Sequence, residues 1–234
     1  MTHAIAPQTH RDTKAMARAK SQPARAKEKE FLLYLKANQT EMHELLIESI
    51  GKKVKFTAKE IELLKPYFIP KKIRKRQYLL NAGDTCQYVT FVEKGMLRSF
   101  TVDDEGHEHV VQFAIEGWWI ADMGSFLSGK EAIYNIEALE DSEVLNLSKQ
   151  AMEEMMKQLP AMERYFRLLM QNNIVALQRR VVAYMSLSAE EKYLRLMEVA
   201  PDIMNRASQQ HIASYLSITP ETLSRIRKQV SHRK

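Results

Sequence analysis

The chain has a single cysteine, Cys86, among 234 residues. A lone thiol excludes an intrachain disulfide and any self-contained zinc or iron–sulfur site built on cysteines. It fits a reducing compartment, so a cytoplasmic protein is expected. No run of eighteen apolar residues occurs, so no transmembrane helix and no membrane partner are expected. The opening stretch MTHAIAPQTHRDTKAMARAKSQPARAKEKE lacks the apolar core of a secretory signal. Basic and Ala-rich, it reads as a poorly ordered extension over residues 1–41. No nucleophile–base pair and no phosphate-cradling glycine loop stand out, so no catalytic residues and no enzyme are expected.

Charge is present but unevenly spread. The net value is +6, yet from Val102 to Glu154 the only bases are Lys130 and Lys149. Lys52 to Arg76 is rich in Lys and Arg, and Arg225 to Lys234 holds five bases and no acid. A basic terminus beside an acidic middle suggests that one segment meets a polyanion and another does not.

The pattern along the chain changes character twice. Glu41–Ile50 and Thr57–Tyr67 have apolar residues at helical spacing, and Thr57 with Glu60 forms a capping box; Pro66 and Pro70 end that region. Six short segments rich in Val, Phe, Tyr and Ile follow: Gln77–Leu80, Tyr88–Glu93, Met96–Val102, His107–Ile115, Tyr134–Glu140 and Ser142–Leu147. Gly- and Asp-containing turns separate them, which predicts a small antiparallel barrel or jelly roll. Helical character returns at Ser148. From Ala161 to Met185 there is no Gly or Pro, and Phe166, Met170, Ile174, Leu177, Val181 and Tyr184 recur every three or four residues. A helix this long, apolar on more than one side, packs one stripe on its own domain and another on a partner. A further helix over Glu190–Ala200, capped by Ser188, is expected to stop at Pro201.

The strongest constellation is SQQHIASYLSITPETLSRIRKQ, Ser208 to Gln229. Ser208 caps a first helix, Ser217-Ile218-Thr219 makes a turn, and Thr219, Pro220 and Glu221 open a second helix as cap, first residue and dipole-matched acid. Ile212, Leu216, Ile218, Leu223 and Ile226 supply the shared core, and Ala213 allows close approach. This is the spacing of a helix-turn-helix. Such turns usually place Gly near Ser217, because left-handed backbone costs other residues roughly 1 kcal/mol. With Leu223, Ile226 and Val230 inward, the second helix presents Glu221, Thr222, Ser224, Arg225 and Lys228. Arg can fork onto guanine, Glu can accept from cytosine N4, and Ser or Thr can reach bases or phosphates. Ser208, Gln209 and Thr219 sit at helix starts, where N–H groups and hydroxyls meet phosphate.

In order of elements, the chain resembles the Crp/Fnr family of bacterial transcription regulators. The resemblance runs from about Met42 to Lys228 and is sharpest in ITPETLSRIRK, Ile218 to Lys228, and GWWIADMGSF, Gly117 to Phe126. It implies an α+β chain: an antiparallel β-roll (a jelly roll, cyclic-nucleotide-binding-like) over residues 42–160, a long dimerisation helix over 161–185, and a helix-turn-helix domain over 186–234. It also implies a homodimer on double-stranded DNA, with half-sites about one helical turn apart, and RNA polymerase as a partner. The family's base-reading Glu and Arg fall on Glu221 and Arg225, and its phosphate contacts on Ser208, Gln209, Thr219 and Thr222. Pro220 stands where some members have a second base-reading Arg. The usual β-hairpin wing needs a dozen or more residues, and only Gln229 to Lys234 follow, so no full wing is expected; Arg233 and Lys234 would then meet phosphate non-specifically.

The resemblance also locates a sensor site. Cyclic-nucleotide-binding members carry Gly-Glu in the loop matching Ile120–Phe126, which holds the ribose, and an Arg-Ser pair beyond it, which neutralises the cyclic phosphate. Those positions here are Ala121-Asp122 and Ala132-Ile133, so the cation is lost, removing roughly 3–5 kcal/mol of support for a buried phosphate. Trp118, Asp122, Tyr134 and Asn135 are left as an effector pocket for an unknown small molecule, one not suited to cAMP. No cofactor and no metal site are expected: His107-Glu108-His109 has the spacing of a cupin metal motif, but the acid that should complete it, Glu116, stands seven residues on. On residues alone a second class stays open, a small-molecule-binding or cupin-like β-roll protein or enzyme with structural C-terminal helices.

Overall fold

The computed structural model describes residues 43–231; the extension expected over 1–41, and Arg233 and Lys234, lie outside the described residues. Helix α1 (Glu44–Gly51) buries Leu46 and Ile50. Its first turn is capped from a distance, by the Glu93 carboxylate accepting from Leu46 N at 2.9 Å and Leu45 N at 3.3 Å. Helix α2 (Ala58–Leu64) starts at the Thr57–Glu60 capping box, and a 3₁₀ turn over Lys65–Tyr67 follows.

Pro66 and Pro70 follow the end of the helical region, and a strand that the sequence reading did not predict already runs through Pro70. Strand β1 (Ile69–Ile73) forms the edge of the sheet β1-β8-β3-β6. An edge strand can spare an N–H, which is why proline is tolerated there. Strands β2 (Tyr78–Leu80), β3 (Tyr88–Lys94), β4 (Leu97–Val102), β5 (Glu108–Ala114) and the two-residue β6 (Trp119–Ile120) follow. Helix α3 (Met123–Ser128) interrupts them before β7 (Asn135–Ala138) and β8 (Ser142–Ser148). The second sheet has the order β2-β7-β4-β5, and every pairing is antiparallel. Gly95 makes possible the tight turn that carries the chain from β3 in one sheet to β4 in the other: φ is +98°, and a Cβ there would meet Ser142 Oγ at 2.3 Å.

The remaining chain is helical: α4 (Lys149–Gln158), α5 (Pro160–Ser186), α6 (Ala189–Val199), α7 (Pro201–Arg206), α8 (Gln209–Leu216) and α9 (Pro220–Ser231). Pro201 does end α6, but it also opens α7 at the first helical position, where its missing N–H costs nothing. Among the described residues no helix is long and apolar enough to cross a membrane.

Two apolar clusters hold the molecule. The first fills the roll between its sheets and extends to Met162, Tyr165 and Phe166 in the first turns of α5. Trp119 joins roll to helix: its ring lies 5.2 Å from Phe91 and 5.4 Å from Phe166, and its indole N–H donates to Tyr165 Oη at 3.0 Å. The second cluster lies on the outer face of the β4–β5 pair, where Met96, Phe100, Val110 and Phe113 pack with Tyr193, Leu196, Ile203 and Ile212. Buried on both faces, β4 is inaccessible from Leu97 through Phe100, so it shows no polar outward face. Arg98, within it, is only 4% exposed. Its guanidinium donates to Glu137 at 2.7 and 3.0 Å and to Glu108 at 2.5 Å, and it stacks 4.0 Å from the Phe100 ring. That satisfaction makes a buried charge tolerable.

Burial pushes the Glu93 carboxyl from 4.5 up to about 7, against its two backbone donors. Its contribution to stability is therefore full below pH 4.5 and is lost as pH rises through about 7. Glu93→Gln, which mimics the neutral acid, is expected to raise the thermal midpoint more at pH 8 than at pH 5. Ser217, between α8 and α9, takes φ 55° and ψ 46°, and Ile218 N–H closes the turn on Ala213 C=O at 3.0 Å. Ser217→Gly should exceed Ser217→Ala in unfolding free energy by about 1 kcal/mol in denaturant titrations. Equal stability would show that the left-handed backbone carries no cost here.

Candidate nucleic-acid interface and sensor cassette

The α8–turn–α9 unit is built by local chemistry. Ser208 accepts from His211 N at 3.1 Å to start α8, and Thr219 accepts from Thr222 N at 3.2 Å to start α9. Ile212, Ala213, Leu216, Leu223 and Ile226 are buried between them, with Ile218 and Val230 packed against that core. The opposite side of α9 is open. Glu221, Arg225 and Lys228 are exposed, and Thr222 and Ser224 half-buried. Pro220, Glu221, Ser224, Arg225, Lys228 and Gln229 line one shallow depression. Gln229 is the member that sequence spacing did not pick out; it stands one turn beyond Arg225. Ser208, Gln209 and Thr219 are exposed at the two helix starts. The Glu221 carboxyl lies below its usual range, held there by its own backbone N–H and the Thr219 hydroxyl. It is an acceptor at neutral pH, beside two cations.

The segment Gly117–Glu140 is less a loop than a strapped turn around α3. Asp122, 3% exposed, caps that helix. Its Oδ1 accepts from Ser125 N at 2.9 Å, and its Oδ2 from Ile133 N at 2.9 Å and Tyr134 N at 3.3 Å. Asn135 Oδ1 accepts from Ala82 N at 3.0 Å, and Ser125 Oγ from Cys86 N at 2.8 Å. Asp122 and Tyr134 are thus brought into contact, Asn135 is tied to the β2–β3 connection, and Trp118 is surface-exposed while Trp119 turns into the core. Lys130 is exposed, and Lys149 Nζ donates to Leu127 O at 2.8 Å.

The two histidines of the cupin-like motif serve the β4–β5 turn. His109 Nε2 lies 2.7 Å from Asp103 Oδ2, and His107 N donates to Asp103 Oδ1 at 2.8 Å. These hydrogen bonds hold the Asp103 carboxyl down at about 2.

Helix α5 divides along its length. Its start is buried in the roll, whereas Ile174 (58%), Leu177 (53%), Val181 (49%) and Met185 (84%) are exposed at helical spacing. Tyr184 turns toward the C-terminal helices and donates to Tyr215 O.

Residues 70–159 match the cyclic nucleotide-binding domain family. Over 173 residues the chain is 26% identical to the regulatory protein HlyX of Actinobacillus pleuropneumoniae, covering 67% of this chain and 69% of that protein. Over 172 residues it is 27% identical to the fumarate and nitrate reduction regulatory protein of Vibrio cholerae serotype O1, covering 67% and 66%. The chain spans about two thirds of the length of these curated relatives. The c-di-GMP responsive global regulator CLP of Xanthomonas campestris shares its fold at a TM-score of 0.60 and 16% identity, over 76% of this chain and 93% of that one. FixK2 from Bradyrhizobium japonicum does so at 0.57 and 18%, over 71% and 85%. The relatives are transcription regulators, not enzymes. A β-roll of two antiparallel sheets, a long helix and a C-terminal helical region therefore stand together with these sequence matches, and in fold and sequence the chain is similar to transcription regulators of the Crp/Fnr type.

Proposed function

We propose that this chain reads a pseudo-palindromic operator in double-stranded DNA as a homodimer, with RNA polymerase as its partner in transcription. Crp/Fnr regulators bind DNA, typically as dimers. One observation carries the reading for this chain: Glu221, Ser224, Arg225 and Lys228 share an open face of α9 whose other side is fully packed. In that role Arg225 forks onto guanine O6 and N7, Glu221 accepts from cytosine N4, and Ser224 and Lys228 flank them. Ser208, Gln209, Thr219 and Thr222 supply phosphate contacts. The exposed apolar stripe of α5, Ile174 to Met185, is the seam between subunits.

The effector of this dimer is not cAMP. The backbone N–H groups of Ser125, Ile133 and Tyr134 already bind the Asp122 carboxylate. A cyclic phosphate placed there would meet a buried negative charge and no arginine, and two like charges repel strongly at low dielectric. Trp118, Asp122, Tyr134 and Asn135 frame the place where another small molecule would bind.

Mobility-shift titrations against duplexes selected from random sequence test the DNA reading. Arg225→Ala is expected to weaken binding by about 10–100-fold, the value of one forked base contact, and to relax the sequence preference at one position per half-site. Undiminished, equally specific binding by that variant would overturn the assignment. Calorimetric titration with cAMP is expected to give no micromolar binding, and a saturable micromolar isotherm would refute the account of the cassette.

A further inference from the structure

The C-terminal helices are fastened to the roll at a few polar points, all of which bear on α8. Arg206, the last residue of α7, stands two positions before the Ser208 cap of α8. Its guanidinium forks onto Glu116, with Nη1 to Oε2 at 2.7 Å and Nη2 to Oε1 at 2.9 Å, and Nη2 also donates to Glu140. Glu116 Oε1 accepts in addition from Gly95 N at 2.7 Å. Glu140 lies in the β7–β8 turn, where its carbonyl accepts from Ser142 Oγ at 2.8 Å. One side chain thereby grips three turns at which the chain crosses from one sheet to the other: β3–β4 through Gly95, β5–β6 through Glu116, and β7–β8 through Glu140. Glu116 and Glu140 also bracket the segment that carries Asp122.

A second fastening lies within α8 itself. Strand β5 is the edge of its sheet, and its free backbone groups there need partners. Ser214 Oγ accepts from Val110 N at 2.9 Å and donates to Glu108 O at 2.7 Å. Arg180 of α5 donates to Val111 O on the same edge. Helix α8 is therefore pinned at its start and along its length, while α9 extends from it with its outer face open.

We propose that Arg206 is a positioning residue for DNA binding, one that fixes the direction of α9 relative to the roll and so sets the half-site separation a dimer accepts. A fork onto two carboxylates fixes orientation as well as distance, which a lone lysine or an apolar patch does not. Arg206 touches no part of the α9 reading face, so its loss leaves each half-site contact intact. What changes is the tolerance of the dimer to spacing. The inference rests on the homodimeric, DNA-reading assignment above.

The test uses the full chain and duplexes built from the half-site that the wild-type chain selects. In one series two half-sites are separated by the selected spacing or by one or two base pairs more or less; a duplex with a single half-site is the control. The wild type is expected to favour its selected spacing by about tenfold or more. Arg206→Gln and, independently, Ser214→Ala are expected to reduce that preference to below about threefold while binding the single half-site as the wild type does. Retained single-site binding also certifies that the helix-turn-helix unit of each variant is folded. If both variants keep the wild-type spacing profile, the positioning role is overturned and the DNA-reading assignment stands. If the wild type itself shows no spacing preference, the homodimeric reading fails first, and the positioning role with it.

Discussion

The C-terminal helices bury the outer face of the β4–β5 pair, and the rest of the architecture depends on that contact. An open antiparallel sheet normally shows one polar face to water. Here Met96, Phe100, Val110 and Phe113 on that face are covered by helices that would otherwise expose Leu196, Ile203 and Ile212. A helix-turn-helix of two short helices has little core of its own, so the sheet supplies the missing half. The same contact forces Arg98 into the interior, where Glu137, Glu108 and the Phe100 ring surround it. Burial, with the nearby Arg98 guanidinium, holds the His211 imidazole of α8 below its ordinary range. The helix therefore brings a neutral ring to this junction rather than a second cation.

The segment around Asp122 is closed by the chain's own chemistry. Three backbone N–H groups converge on a single buried oxygen pair, and the oxygens are those of Asp122. The helix start, the turn after it and the connection preceding β3 are joined through this carboxylate, Ser125 and Asn135. A segment held at so many points keeps one shape without help from a bound anion. The partners of Arg206 lie at the two ends of that same segment, so the segment that carries Asp122 and the C-terminal helices share a mechanical boundary.

Much of the helix-turn-helix was legible because its determinants are local. Ser208, Thr219, Pro220 and Ser217 act within three or four residues of themselves, and a cap or a left-handed turn needs no distant partner. The long helix was legible for a similar reason, an uninterrupted period with a proline at its first position. Strand β1 was missed because Pro66 and Pro70 read as breakers, and only its place at a sheet edge explains the tolerance. Helix α3 was missed because a Gly-containing hexapeptide has no helical period, and its start is fixed by Asp122. For Arg98, Arg206 and Ser214 no spacing signal exists: their partners stand 39, 90 and 104 residues away in sequence.

The sequence by itself determined the capped helices, the strand-and-turn rhythm of the roll, the polar outer face of α9 and the scarcity of bases between Val102 and Glu154. Each of these is a property of neighbouring residues, set by backbone preference, periodicity or the presence of a charge. The tertiary structure alone decided where the α8–turn–α9 unit sits and what Asp122 is bonded to. Those outcomes depend on which surfaces remain to be covered once the roll has closed, and on hydrogen-bonding groups that meet only when chain segments far apart in sequence are brought together.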